Sequence, residues 1–172
     1  MIKINSFDFK KIDEMTGREV YCIERLRNTT FVAEQKITLP DLDDEDLIAT
    51  QVYVLNQKQT TALVTCRLFQ EDGKWMLGRV AVAKEARGMH LGSQMLEAVH
   101  QFLQADHVAA LYCHAQMRVK PFYDKLGYQV IGEPFDEGGV EHVMMKKIII
   151  QWQNEIFEGV KMKIGEALKQ ER

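Results

Sequence analysis

The sequence predicts an α+β fold, with a mixed, mostly antiparallel central sheet flanked by helices. Three observations lead there. Successive β-rich runs fill the first half, two of them joined by a hairpin signal. The middle of the chain then switches to a helical period, after which short apolar runs alternate with helical ones. The last segment repeats apolar residues at spacings of three and four.

The elements follow in order. Ile2, Ile4 and Phe7 predict a short opening strand. Val20, Ile23, Leu26 and Phe31 fall close to helical spacing, so a helix is expected over 20–32, ending near Glu34 and Gln35. The stretch TLPDLDDEDL is acidic, holds Pro40 and lacks periodicity, which predicts a loop. Runs at 51–56, 60–68 and 75–83 read as three successive antiparallel strands, the last two joined at Asp72-Gly73. Leu91, Met95, Leu96, Val99 and Phe102 share one helical face. A buried strand is expected over 108–113, a short helix over 117–126 stopped by Gly127, and a strand over 129–132. FDEGG reads as a turn before a strand over 140–150. Residues 151–172, with Trp152, Ile156, Val160, Ile164 and Leu168, predict an amphipathic helix. One domain over 1–150 is thus expected, followed by a helix that packs on it or on a second copy, forming a homodimer.

Composition narrows the class of function. The 172 residues are 46% hydrophobic and carry a formal net charge of −3, without a recurring basic cluster. One sizeable core is available, while nucleic acid and anionic membrane are disfavoured as partners. Neither a signal-peptide core nor a membrane span is visible. Cys22, Cys66 and Cys113 are odd in number and scattered, which fits reduced core thiols in a cytoplasm. No metal site is expected.

The segment from Gly78 to Leu96, GRVAVAKEARGMHLGSQML, carries the most chemistry. A strand ends near Ala83 and a helix begins near His90. Arg87, Gly88 and Gly92 lie at the junction. A helix N-terminus exposes unpaired N–H groups, and small residues there let an anion approach the backbone. The junction therefore suits a pyrophosphate; an ordinary strand-to-helix turn has the same composition.

A resemblance makes the choice specific. Arg87-Gly88-Met89-His90-Leu91-Gly92 resembles the pyrophosphate motif of the GNAT (Gcn5-related N-acetyltransferase) superfamily, Gln/Arg-x-x-Gly-x-Gly/Ala, with Val80-Ala81-Val82 at the usual distance before it. Phe122-Tyr123-Asp124-Lys125-Leu126-Gly127-Tyr128 resembles the second signature, Phe-Tyr-x-x-x-Gly-Phe. Gln116 stands where many members have Asn. FVAEQ, PDLD, AQMRVKPFY and GVEHVMM resemble the ElaA-like subgroup, and the likeness covers about residues 20–147. His90 departs from the pattern by replacing a glycine.

The resemblance implies an N-acetyltransferase that moves an acetyl group from acetyl-CoA to a primary amine of a small molecule or peptide. The arm of the co-substrate would lie along Val80, Ala81 and Val82. The pyrophosphate would sit on Arg87, Gly88, Met89, His90, Leu91, Gly92 and Ser93, Gln116 would also bind the co-substrate, and Phe122 and Tyr123 would flank the thioester. Tyr123 would protonate the leaving thiolate, or else only pack its ring. Glu34 is a candidate base and acceptor contact, and equally a surface or cap residue. Asp43, within an acidic rim of Asp41, Asp43, Asp44 and Glu45, would draw a cationic amine. His142 would line the acceptor site or serve structure; His114 reads as structural. The alternative is a catalytically silent acyl-CoA-binding module acting as sensor or interaction platform.

Overall fold

The computed structural model describes residues 6–150. Its strands are β1 (Asp8–Lys11), β2 (Thr50–Leu55), β3 (Ala62–Glu71), β4 (Lys74–Val82), β5 (Ala110–Gln116), β6 (Gln129–Val130), β7 (Phe135–Glu137) and β8 (Val140–Ile148). They form one sheet in the order β1-β2-β3-β4-β5-β8-β6, with β7 also paired to β8. Every pairing is antiparallel except β4 with β5. The helices are α1 (Gly17–Arg27), α2 (Glu45–Ile48), α3 (Leu91–Ala105) and α4 (Lys120–Lys125).

Local chemistry sets the boundaries. Thr16 and Glu19 form a capping box that starts α1: Glu19 N–H donates to Thr16 Oγ1 at 3.2 Å and Thr16 N–H to Glu19 Oε2 at 2.7 Å. The Glu19 carboxylate also accepts from Lys10 Nζ and Tyr53 Oη, each at 2.7 Å. Burial opposes its charge, but those donors hold its carboxyl down at about 2. At Asp72 and Gly73 φ is +47° and +74°, the left-handed pair that a two-residue hairpin needs. Leu91, Met95, Leu96, Val99 and Leu103 bury the inner face of α3 against the sheet.

Several expectations are corrected. The single helix expected over 20–32 is α1 followed by a π-helical stretch, Asn28–Glu34. The acidic stretch contains α2, because buried arginines hold its carboxylates in place. FDEGG is half strand: Phe135, Asp136 and Glu137 pair with His142, Glu141 and Val140, and only Gly138-Gly139 turn. Among the described residues the first strand, β1, begins at Asp8, with Phe7 packed on the core, while Ile2 and Ile4 of the expected opening strand lie outside the described residues. The helix expected over 151–172, and with it the second-copy contact, lies outside the described residues. Cys22, Cys66 and Cys113 are buried, and burial pushes the Cys113 thiol up to about 12, leaving it an inert core group.

Two irregularities position the site. Arg67 pairs with Gly78 and Thr65 with Ala81, so Arg79 and Val80 together oppose Cys66. This is a bulge, and Arg79 sits in it at φ +53°. Then β4 and β5 pair only at Trp75–Leu111, Met76–Tyr112 and Leu77–Cys113. Beyond those pairs the strands part, and Gly78–Val82 faces an open seam opposite His114–Gln116.

Candidate active site

The seam has two sides of different character. On one side stand the end of β4, the start of α3 and Phe122. Ala83 N–H bonds to Leu63 O at 2.8 Å. By the alternation of an antiparallel ladder, the backbone groups of Val80 and Val82 then face the open side. The Val82 carbonyl is taken by Arg87 Nε at 3.1 Å. Ala81 itself is core.

Helix α3 starts at the mouth of this seam. Gln94 N–H donates to His90 O at 3.0 Å, so the N–H groups of Leu91, Gly92 and Ser93 precede the first full turn and have no carbonyl of their own helix to reach. His90 is the N-cap at φ +57° and Gly88 lies at φ +76°. The position where the family motif carries glycine is thus left-handed, which explains the motif's preference and makes His90 a strained occupant. A Cβ on Gly92 would lie 3.3 Å from Val82 Cγ2 and 3.5 Å from Phe122 Cζ. Gly92 therefore lets the helix end close down on the last residue of β4 and on α4. Met89 and Arg87 are on the surface of the loop.

On the other side is a cavity of about 210 Å³. The π-helical stretch and the chain after it supply Phe31, Gln35, Leu39 and Asp41; β4 supplies Arg79 and Val80. β5, β7 and β8 supply His114, Gln116, Glu137 and His142, and α4 supplies Tyr123. Tyr123 is 6% exposed, and its ring stands edge-on to Phe122 at 5.2 Å and to Tyr128 at 5.3 Å. Burial raises its phenol well above the ordinary value, so it is protonated at neutral pH. No hydrogen bond from its hydroxyl is found among the described residues. Gln116 Nε2 donates to Gln35 Oε1 at 3.2 Å, bridging β5 to the far wall.

Two sequence expectations change here. Glu34 is outside this cavity: its Oε2 accepts from Arg87 Nη2 at 2.8 Å, tying the π-helical stretch to the α3 loop. In this geometry its carboxylate is engaged by the Arg87 guanidinium. The acidic rim is not a free negative surface either. Asp43 is gripped by Arg67 and by Arg79, the latter at 3.0 Å. Asp41 pairs with Arg27 at 2.7 Å and with Arg79 at 3.0 Å, and Asp46 with Arg27 at 2.7 Å and Arg67 at 2.9 Å. Burial works against charge on Asp43, yet Arg67 and Arg79 hold its carboxyl well below the usual range. Asp43 braces the cavity wall and has little attraction left for a substrate.

Sequence reasoning missed Glu137, whose Oε2 accepts from His114 Nδ1 at 3.2 Å inside the cavity. Its signal was the Phe-Asp-Glu run before Gly138-Gly139, readable as the first strand of a hairpin. Arg79 was also missed, because nothing local marks a bulge. Among the described residues no cluster of three His, Cys, Asp or Glu is placed to hold a metal ion. No described helix is long and apolar enough to cross a membrane.

An acyl-CoA N-acyltransferase architecture is what this sheet, its half-open parallel seam and the helix end beside it define. Residues 30–149 match the family model described as "Acetyltransferase (GNAT) domain", and the chain belongs to that family. It is similar to Protein ElaA of Escherichia coli, 26% identical over 146 residues, covering 80% of this chain and 93% of that one. The fold matches an acyl-CoA N-acyltransferase from Pseudomonas aeruginosa with a TM-score of 0.75 and 26% identity, over 83% of this chain and 98% of that one. It also matches the crystal structure of Escherichia coli ElaA with a TM-score of 0.75 and 21% identity, over 83% and 99%. An aminoglycoside 6'-N-acetyltransferase complexed with coenzyme A has the same fold, with a TM-score of 0.61 at 12% identity over 85% and 98%.

Proposed function

We propose that the protein transfers an acetyl group from acetyl-CoA to a primary amine held in the 210 Å³ cavity. The observation that carries this reading is the parting of β4 from β5 after Leu77 and Cys113, with Tyr123 lining the cavity behind it. The co-substrate's arm pairs with the outward backbone of Val80 and Val82, as an added strand would. Its pyrophosphate takes the N–H groups of Leu91, Gly92 and Ser93. A backbone N–H near Val82 receives the oxyanion, and the Tyr123 hydroxyl gives its proton to the departing thiolate. The buried, unpaired thiols fit a reducing cytoplasm as the compartment.

The test combines calorimetry with acetyl-CoA and thiol detection of released CoA across a panel of primary amines. Binding together with amine-dependent release is expected. Binding without release on any amine would make the chain an acyl-CoA-binding module instead. No binding at millimolar acetyl-CoA would end both readings.

A further inference from the structure

The reaction needs a group to take the proton from the attacking nitrogen, and the pairing of Glu34 with Arg87 leaves that role open. We infer that His142 is the general base, acting through Nε2 on the amine in the cavity. This rests on the transferase reading above and adds its proton acceptor.

The assignment follows from one hydrogen bond and its surroundings. His142 Nδ1 lies 2.7 Å from Val140 O. A carbonyl oxygen only accepts, so Nδ1 must carry the hydrogen and the neutral ring has its lone pair on Nε2. His142 is 9% exposed and lines the cavity. It is fixed from two sides: His142 pairs across the sheet with Gln116 on β5 and with Phe135 on β7, and the Phe135 ring stacks on it at 6.0 Å and 24°. A base held in one tautomer and orientation needs no reorganisation when the proton moves.

The neighbouring candidates serve less well. His114 donates from Nδ1 to Glu137, and that contact raises the affinity of its ring for a proton, favouring the cation. The same contact lowers Glu137, making it a weaker base. The charged and titratable groups around His142 are thus Glu137 on β7, His114 on β5, Arg79 and Asp41 across the cavity, and Tyr123 on α4. Arg79 is itself paired with Asp41 and Asp43.

The step balances with these residues alone. A C–N bond forms between the neutral amine and the thioester carbon while one N–H proton passes to His142 Nε2. The C–S bond breaks, its electron pair stays on sulfur, and the sulfur takes the Tyr123 proton. The products are the amide and free CoA. Imidazolium and tyrosinate then return to neutrality by exchange with solvent.

His142→Asn is the informative variant, because its amide nitrogen stands near Nδ1 and keeps a donor for Val140 O while Nε2 disappears. Expected are acetyl-CoA affinity unchanged by calorimetry and kcat/KM lowered about a hundredfold or more. In the parent protein log kcat/KM should rise with a slope of about two at the acid end and about one beyond a break, one proton for the amine and one for the imidazole base. The variant should keep a slope of about one throughout. Nitrogen-resolved NMR of the unliganded parent should show Nδ1 of His142 protonated and Nε2 bare at neutral pH, a readout that needs no turnover and no variant. The opposite tautomer, or a variant that keeps the parent's rate and slope, overturns the assignment alone. So does loss of the break in His114→Asn instead. A parent protein that binds acetyl-CoA but acetylates no amine overturns the transferase reading and this assignment with it.

Discussion

Replacing Asp46 with asparagine removes one negative charge from a place where two buried cations converge. Asp46 is 4% exposed; Arg27 and Arg67 are 0% and 3% exposed. Its carboxylate accepts from Arg27 Nη1 at 2.7 Å and Nη2 at 3.1 Å, from Gln51 Nε2 at 3.1 Å, and meets Arg67 Nη1 at 2.9 Å. An asparagine keeps one accepting oxygen but turns an N–H₂ group toward a guanidinium. Removing one partner of a buried ion pair costs about 3–5 kcal/mol, and the remaining carboxylates of Asp41 and Asp43 argue for the lower end. For a chain of this size about 3 kcal/mol corresponds to a fall in Tm of about 6–12 °C. Urea unfolding at pH 7 measures it directly. Burial works against the charge of Asp46, but Arg27 and Arg67 hold its carboxyl below the ordinary value. Its contribution is therefore present above the unfolded value of about 3.9 and is lost as pH falls through the folded one. The gap between parent and variant should narrow below about pH 4. A loss under 1 kcal/mol at pH 7, or a gap that widens in acid, would refute the account of Asp46 as the shared anion of two buried guanidiniums.

Three further outcomes are expected. Tyr123→Phe should keep its fold and its acetyl-CoA affinity, since its hydroxyl makes no hydrogen bond among the described residues, while turnover measured by CoA release falls about a hundredfold. His90→Gly should raise stability by about 0.5–1 kcal/mol in urea, because relief of a left-handed residue outweighs the flexibility gained by the unfolded chain. Burial raises the Glu24 carboxyl to about 7 against the pull of Arg27, so the parent should lose stability as pH rises from 5 to 8, and Glu24→Gln should flatten that decline in thermal melts.

Periodic and punctuated features of the sequence led directly to structure. The apolar stripe of α3 and the Asp72-Gly73 turn are local, and each appears where its pattern put it, except that Leu103 rather than Phe102 completes the fully buried face. The paired signatures brought the α3 loop and Tyr123 to the same seam for a like reason, since each is a short contiguous motif. What stayed hidden depends on partners far along the chain. Glu34 meets Arg87 at a separation of 53 residues, and Asp41 meets Arg79 at 38. No local rule says that an acidic run will be neutralised by arginines from one helix and two strands. His142 was legible as a cavity residue, but its tautomer depends on a carbonyl only the folded β8 sets beside it.

The open half of β4 has a consequence for solubility. A strand whose N–H and C=O groups face outward is a template on which another copy's strand can grow, the usual beginning of edge-to-edge aggregation. On the proposed acyltransferase reading, the pantetheine arm needs such an edge left unpaired. Arg79 at φ +53° breaks the edge in the middle, so an incoming strand would lose register within a few residues. Arg87 blocks its far end by occupying the Val82 carbonyl. The edge is long enough for a short, strand-like ligand and too irregular for a neighbour's β-strand.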